Sequence, residues 1–347
     1  MKRVLLVFIS ALVVIVVIGL NLFPLNIKHM EDGDTIKDSS SRDYTSAFVT
    51  DSGKCYVNGV VDVNRNYGVA NPSIIQNFNE GYIEIYDKGD AETISISDKG
   101  GCIITNSGEV YVFCNELKGY KTPVYLCSGY KQAYLADETL VYLLSENNEL
   151  GYISIEYPND FVKIGDDIKR FKIGTDREND YLPSVLSLSE NGDLYITSYR
   201  QRISESAKII DNVSDFDFVM PNLDTSVLSV LTKDHEALCL KGEYPLNYEG
   251  IIQESFKKVG ENITDVISYE HGVAMMDDHN NLYLYGYGFK DGSDYGDFFS
   301  GEKVFSDVKA VYGGDIFLIV VWNDNSFTYY GKHLDKLGYT RITKDNK

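Results

Sequence analysis

Two hydrophobic patterns divide this chain. The first is a single run, Val4 to Phe23, of 20 residues without a charge, preceded by Lys2-Arg3 and closed by Pro24. At about 1.5 Å per residue, one helix of this length crosses a ~30 Å hydrocarbon layer. Positive charge before the run and acid after it predict a short cytoplasmic end (1–3), a transmembrane signal-anchor helix (4–23) and an extracytoplasmic body. A cleaved signal would carry a shorter apolar region and a small-x-small site, which Gly19-Leu20-Asn21 does not supply. Residues 24–43 then lose nearly all apolar character and read as a polar stalk.

The second pattern is a repeat of about 45 residues that begins at Tyr44. An apolar run, a tight turn and a second apolar run recur as TSAFVTDSGKCYVNG, GCIITNSGEVYVFC, LVYLLSENNELGYIS, SVLSLSENGDLYITS, VLSVLTKDHEALCLKG, AMMDDHNNLYLYG and FLIVVWNDNSFTYYG. The turn position holds Gly53, Gly108, Asn148, Gly192, His235, Asn280 and Asn325. Gly and Asn are the residues that tolerate the positive φ of a tight hairpin turn. Six residues further on stand Gly59, Cys114, Ser154, Ser198, Lys241, Gly286 and Gly331, small in six of seven units. Upstream, Asp167-Ile168, Asp215-Phe216, Asp265-Val266 and Asp307-Val308 each open a further apolar stretch. Repeats of this length with several strands and no amphipathic helix predict propeller blades. The expected fold is therefore all-β, a seven-bladed β-propeller over residues 44–347 preceded by a single transmembrane helix.

Charge narrows the partners. The 52 acidic residues outnumber 32 basic ones for a net −20, and two of the basic residues precede the apolar run. Such a body repels phosphate backbones and anionic headgroups, so no nucleic-acid partner is expected, and membrane contact only through the N-terminal helix. The 27 tyrosines suit strands whose rings are half buried. Cys55, Cys102, Cys114, Cys127 and Cys239 form no metal-like spacing and read as small buried hydrophobes, their disulfide state open.

Candidate chemistry is sparse, and no cofactor is expected. Asp62-Val63-Asn64-Arg65-Asn66 imitates the start of a calcium loop through Asp62, Asn64 and Asn66, but the glycine comes late and Ser73 stands where a bidentate Glu belongs. Gly286-Tyr287-Gly288 with Gly292 lacks dinucleotide-binding spacing. His29, His235, His271, His279 and His333 accompany no nucleophile elbow or HExxH. Two segments stand out by composition, Glu80 to Asp90 and Tyr287 to Phe299. In the second, Tyr287, Phe289, Asp291, Asp294 and Tyr295 combine aromatics with acids, the mixture of protein and glycan contacts.

The hairpins resemble those of the family named for the regulator of chromosome condensation, whose unit runs approximately A-L-T-x-x-G-x-V-Y-x-W-G after an upstream V-x-x-V-x-x-G. Ile104 to Cys114, Leu188 to Ser198 and Leu282 to Gly286 match the hairpin, and Asp307 to Phe317 matches the upstream segment. The resemblance runs from Tyr44 to about Tyr339 and implies a seven-bladed propeller. Tyr285 and Tyr330 stand where the family has Trp, and its usual histidine is replaced by Thr45, Gly100, Leu140, Ser184, Val227, Gly272 and Phe317. No functional residue carries over. Similar bacterial members are secreted or surface-bound, and some bind other proteins.

The expected function is an anchored extracytoplasmic binding module that recognises a protein or cell-surface glycan through inter-blade loops, without enzymatic activity. The rival is a hydrolase with carboxylates around the central channel, marked by a close, partly desolvated carboxylate pair there. A structural surface protein is the third reading.

Overall fold

The computed structural model describes residues 34–42, 45–61, 76–77, 83–97, 99–114, 122–137, 139–174, 184–198, 206–222, 225–242, 255–269, 272–287, 298–313 and 317–331. Every regular element in them is a strand.

All seven predicted turns have positive φ, from 61° at His235 and Asn280 to 91° at Gly192. The hairpins around them are the second and third strands of seven antiparallel sheets. Blade 1 consists of β1 (Ile36–Arg42), β2 (Thr45–Thr50), β3 (Cys55–Val61), the short β4 (Gln76–Asn77) and β5 (Ile83–Tyr86). Blade 2 is β6 (Ala91–Ser97), β7 (Gly100–Thr105), β8 (Glu109–Cys114) and β9 (Val124–Ser128). Blade 3 is β10 (Tyr130–Leu135), β11 (Leu140–Ser145), β12 (Leu150–Ser154) and β13 (Tyr157–Gly165). Blade 4 is β14 (Ile168–Gly174), β15 (Ser184–Ser189), β16 (Leu194–Ser198) and β17 (Ser206–Ile210). Blade 5 is β18 (Val213–Asn222), β19 (Thr225–Thr232), β20 (Glu236–Gly242) and β21 (Lys257–Glu261). Blade 6 is β22 (Ile263–Tyr269), β23 (Gly272–Asp277), β24 (Leu282–Tyr287) and β25 (Phe298–Phe305). Blade 7, among the described residues, is β26 (Val308–Gly313), β27 (Phe317–Trp322) and β28 (Phe327–Gly331).

The core is seven seams, one between each pair of neighbouring blades. Consecutive residues of each second strand face opposite seams, because side chains alternate across a strand. Phe48 packs between blades 1 and 7, while Ala47 and Val49 pack between blades 1 and 2. That is why β2, β7, β15 and β27 are buried at every position, and why none of them carries a charged residue. The seventh seam joins Ile36, Phe48 and Tyr56 to Phe317, Ile319 and Val321 and closes the ring between the two ends of the chain. The Tyr312 hydroxyl donates to the Lys37 carbonyl at 2.8 Å across the same seam.

A second set of positive-φ residues marks the blade junctions: Gly89, Gly129, Asp167, Asn212, Asn262 and Asp307. Just after each, the first backbone N–H of the next blade donates to the preceding blade's turn carbonyl, as in Ile168 to Asn148 and Val308 to Asn280, both 3.0 Å. This corrects one part of the upstream reading. Asp167 and Asp307 sit at junctions, whereas Asp215 and Asp265 lie two residues inside β18 and β22. Their junction equivalents are Asn212 and Asn262.

The polar stretch 24–43 is also corrected, because Ile36–Arg42 is a strand of blade 1 and the propeller begins before Tyr44. The physical reason lies in the edge. An innermost strand has one free row of backbone groups, and polar side chains cover it. Asp38 Oδ2 accepts Ile94 N–H at 2.9 Å, and Ser40 Oγ accepts Ile96 N–H at 3.0 Å. The apolar run Val4–Phe23 lies outside the described residues, and no described helix is long and apolar enough to cross a membrane.

The two sequence positions singled out in each hairpin prove to be partners. Thr45, Gly100, Leu140, Ser184, Val227, Gly272 and Phe317 pair respectively with Gly59, Cys114, Ser154, Ser198, Lys241, Gly286 and Gly331. A β-carbon on Gly272 would lie 1.9 Å from the Tyr285 carbonyl oxygen, so no histidine fits there without moving backbone.

Candidate functional site

The inner strands place one side chain each at equivalent positions around the central channel. In blade order these are Asp38, Thr93, Gln132, Arg170, Asp215, Asp265 and Ala310, each next to the irregularity in its strand's pairing. Three of them, Asp38, Gln132 and Arg170, reach forward to the next blade. Gln132 accepts the Phe171 N–H at 3.0 Å and donates to its carbonyl at 2.6 Å. Arg170 pairs with Asp215, and Lys172, two residues on, pairs with Asp217 at 2.8 Å. Asp217 in turn accepts the Ser268 N–H of blade 6 at 2.9 Å. The edge amides of Phe216 and Val266 are held by their own neighbours Asp215 and Asp265.

Asp265 has no partner ahead of it in this ring. Its forward neighbour is Ala310, which offers no donor. Burial, then the negative charges of Asp215 and Asp217, push its carboxyl up to about 7, against the Val266 amide and the more distant Arg170. Asp38 is pushed up to about 6 by burial, opposed by the Ile94 and Ser39 amides, Lys172 and Arg170. Sequence reasoning missed this network. A signal was available: Lys169, Arg170 and Lys172 each contact a group 45 positions later, at Ser214, Asp215 and Asp217, one repeat length away.

A second feature lies on the outer strands. Tyr86, Tyr111 and Tyr125 form an edge-to-face series with centroids 5.3 and 5.8 Å apart, and the Lys88 ammonium sits 4.3 Å from the Tyr111 centroid. Tyr125 is 51% exposed, and on the outer strand of the next blade Tyr157 is 62% exposed and Val162 44%. Phe161 of β13 lies against Tyr130 of the same blade, and both, with Leu126 and Cys127 of blade 2, pack on the core of the seam between blades 2 and 3.

The residues predicted from composition are only partly placed. Tyr287 is 41% exposed at the end of β24, and its carbonyl accepts the Tyr269 hydroxyl at 3.0 Å. Phe289, Asp291, Asp294 and Tyr295 lie outside the described residues, as do Asp62, Asn64 and Asn66. Within Glu80 to Asp90, Ile83–Tyr86 is the outer strand of blade 1, so its described aromatic, Tyr86, belongs to the blade. Gly286 and Tyr287 end a strand. Cys55, Cys102, Cys114 and Cys239 are buried and not in disulfides, and burial pushes half-buried Cys127 up to about 12.

The blade 6 turn brings Asp277, Asp278 and His279 within 4.8 Å of one another beside a cavity of about 380 Å³. Asp277 already accepts the His279 and Asn281 amides, the Asn281 side chain and the Tyr283 hydroxyl, all at 2.9 Å. Although burial opposes it, this set of donors holds Asp277 down at about 2 and occupies its acceptor capacity. It is the frame of the turn.

No family model and no curated protein matches the chain. Solved structures do. Human WBSCR16 superposes with a TM-score of 0.59 at 9% identity, over 84% of this chain and 88% of that one. Prp20p from Saccharomyces cerevisiae, the yeast regulator of chromosome condensation, superposes with a TM-score of 0.57 at 13% identity, over 86% and 83%. Kluyveromyces lactis Hsv2 gives 0.50 at 13% identity, over 84% and 90%. At these identities the likeness is one of fold. The chain is a β-propeller of the shape that Prp20p has.

Proposed function

We propose that this chain is a protein-binding propeller that docks a basic partner on the rim of blades 1 to 3. The observation that carries the reading is the exposed pair Tyr125 and Tyr157 on the outer strands β9 and β13 of neighbouring blades. Tyr125 and Tyr157 offer large rigid rings at low entropic cost, and such rings dominate binding energy when a partner buries them. The net charge of −20 favours a partner with a positive face and speeds its approach. Prp20p, of the same shape, was characterised for its binding to Gsp1p and histones, which supports a protein as the kind of ligand. Retention on a membrane by residues 4–23, with the body outside, belongs to the same proposal and rests on the apolar run and its flanking charges. A glycan remains the alternative ligand, through the segment from Tyr287 to Phe299.

One observation favours the hydrolase reading. Asp265 in the channel is a buried carboxyl raised to about 7, with the carboxylate of Asp215, tied to Arg170, as its neighbour, an arrangement that a general acid would use. Both also cap an inner-strand amide, and we assign them to ring closure.

The full-length chain, displayed on its own cells, should retain basic surface proteins in a cross-linking capture that weakens with added salt. The double variant Tyr125→Ser, Tyr157→Ser should lose at least ~10-fold of that capture while keeping the wild-type melting temperature. Undiminished capture by the double variant would remove the rim from the proposal.

A further inference from the structure

The charges of the inner ring do not balance. Arg170 and Lys172 of β14 are matched one to one by Asp215 and Asp217 of β18. Asp265 of β22 stands at the next equivalent position, and among the described residues no cation pairs with it. The groups that face it are few. Asp215 and Asp217 come from β18 and Arg170 from β14. Tyr312 comes from β26, where it senses both Asp265 and Asp38 of β1. The paired strand β23 offers Met276, which carries no charge.

We propose that Asp265 makes closure of the propeller ring respond to protons. Neutral, it leaves the seam between blades 5 and 6 with the Asp217–Ser268 bond and a capped Val266 amide, and leaves the two ion pairs between blades 4 and 5 undisturbed. Ionised, it sets like charge against Asp215 and Asp217 across inner strands that must stay in contact, and the seam is weakened. The surroundings act in the same direction, since burial and both neighbours raise the Asp265 carboxyl.

The sign follows from linkage. A carboxyl raised in the folded protein holds its proton more tightly folded than unfolded, so stability falls as pH rises from the unfolded value toward the folded one, and levels above it. The window runs from about 4 to about 7. Asp38, raised to about 6, adds to the lower part of that window. Asp277, held low, acts oppositely and only at acid pH.

Melting temperature of the full-length chain, read from pH 5.5 to 8.5, tests this. The wild type should lose about 3–5 °C up to pH 7.5 and then level. Asp265→Asn should remove most of that slope and melt above the wild type at pH 8, while Asp278→Asn, at an exposed turn, should leave the profile unchanged. Amide exchange gives a local readout. At pH 8 the Ile263–Tyr269 amides should exchange faster than base catalysis alone accounts for, with β6 as the unchanged reference. A wild-type profile that is flat or rises with pH overturns the proposal without any variant. So does an Asp265→Asn protein that keeps the wild-type slope.

Discussion

Gly53→Val should be the most damaging substitution at any of the seven hairpin turns, lowering stability by about 3–5 kcal/mol. Two effects combine. Gly53 has φ +71°, where a residue with a β-carbon is strained by about 1–2 kcal/mol. Its β-carbon would also lie 2.5 Å from the Gly89 carbonyl carbon and oxygen and 2.8 Å from the Asp90 nitrogen. All three are backbone atoms of the junction to blade 2, so relief requires the blades to separate, and overpacking of that kind adds about 1–3 kcal/mol. Gly129→Val is the comparison that isolates strain. With φ +95° and nothing within 4 Å of its β-carbon, it should cost only about 1–2 kcal/mol. Gly192→Val falls between, because two of its three close atoms belong to the flexible Lys233 side chain. Gly192→Asn should be milder than Val. It will not be free, since φ +91° exceeds the 61–66° of the native asparagine turns and the Val213 carbonyl lies 2.7 Å from the new β-carbon. Chemical denaturation of the four variants gives the ranking, and equal losses at Gly53 and Gly129 would refute the junction geometry.

Phe171→Ala should cost a similar amount, about 3–5 kcal/mol, for a different reason. Phe171 is fully buried on inner strand β14 and fills the seam between blades 3 and 4 with Tyr142, Leu144 and Ile173. Its removal leaves a cavity between two sheets that are each anchored elsewhere, so the site collapses poorly. The backbone of the same residue is clamped on both sides by the Gln132 amide. Gln132→Ala should therefore cost about 1–3 kcal/mol by leaving an edge N–H and a C=O without partners. The double variant should cost less than the sum, because a collapsed seam no longer holds the clamp in register. Full additivity, measured in urea, would mean that side chain and clamp act independently.

The hairpins were legible in the sequence because two signals coincide there. Strands buried on both faces are mostly apolar and free of charge, and the turns between them use Gly or Asn. His235 breaks the second signal and still adopts φ 61°, since the repeat fixes the turn. The innermost strands were legible only where apolar residues dominate, as in Val308–Gly313. Ile36–Arg42 escaped because its polarity serves a free strand edge, a pattern that resembles an unstructured stalk when read residue by residue. Outer strands escaped for the opposite reason. Tyr157–Gly165 is exposed or half-exposed throughout, so its composition is barely constrained by packing. The channel network needed one further step, a comparison of charges one repeat apart. Arg170 and Asp215 look unrelated along the chain and become partners only once the blades are stacked in a circle.

The propeller depends on that circle being closed by blade 7 against blade 1. The most direct measurement is a double-mutant cycle on Phe48 and Phe327, which meet across the closing seam with ring centroids 6.0 Å apart. Phe48→Leu and Phe327→Leu keep volume and apolarity, so each single variant should fold. The closed ring predicts that their losses are non-additive by about 0.5–1.5 kcal/mol, the coupling of an aromatic pair in contact. Losses that add to within ~0.3 kcal/mol would mean the two ends of the chain do not meet, and would contradict the propeller as described.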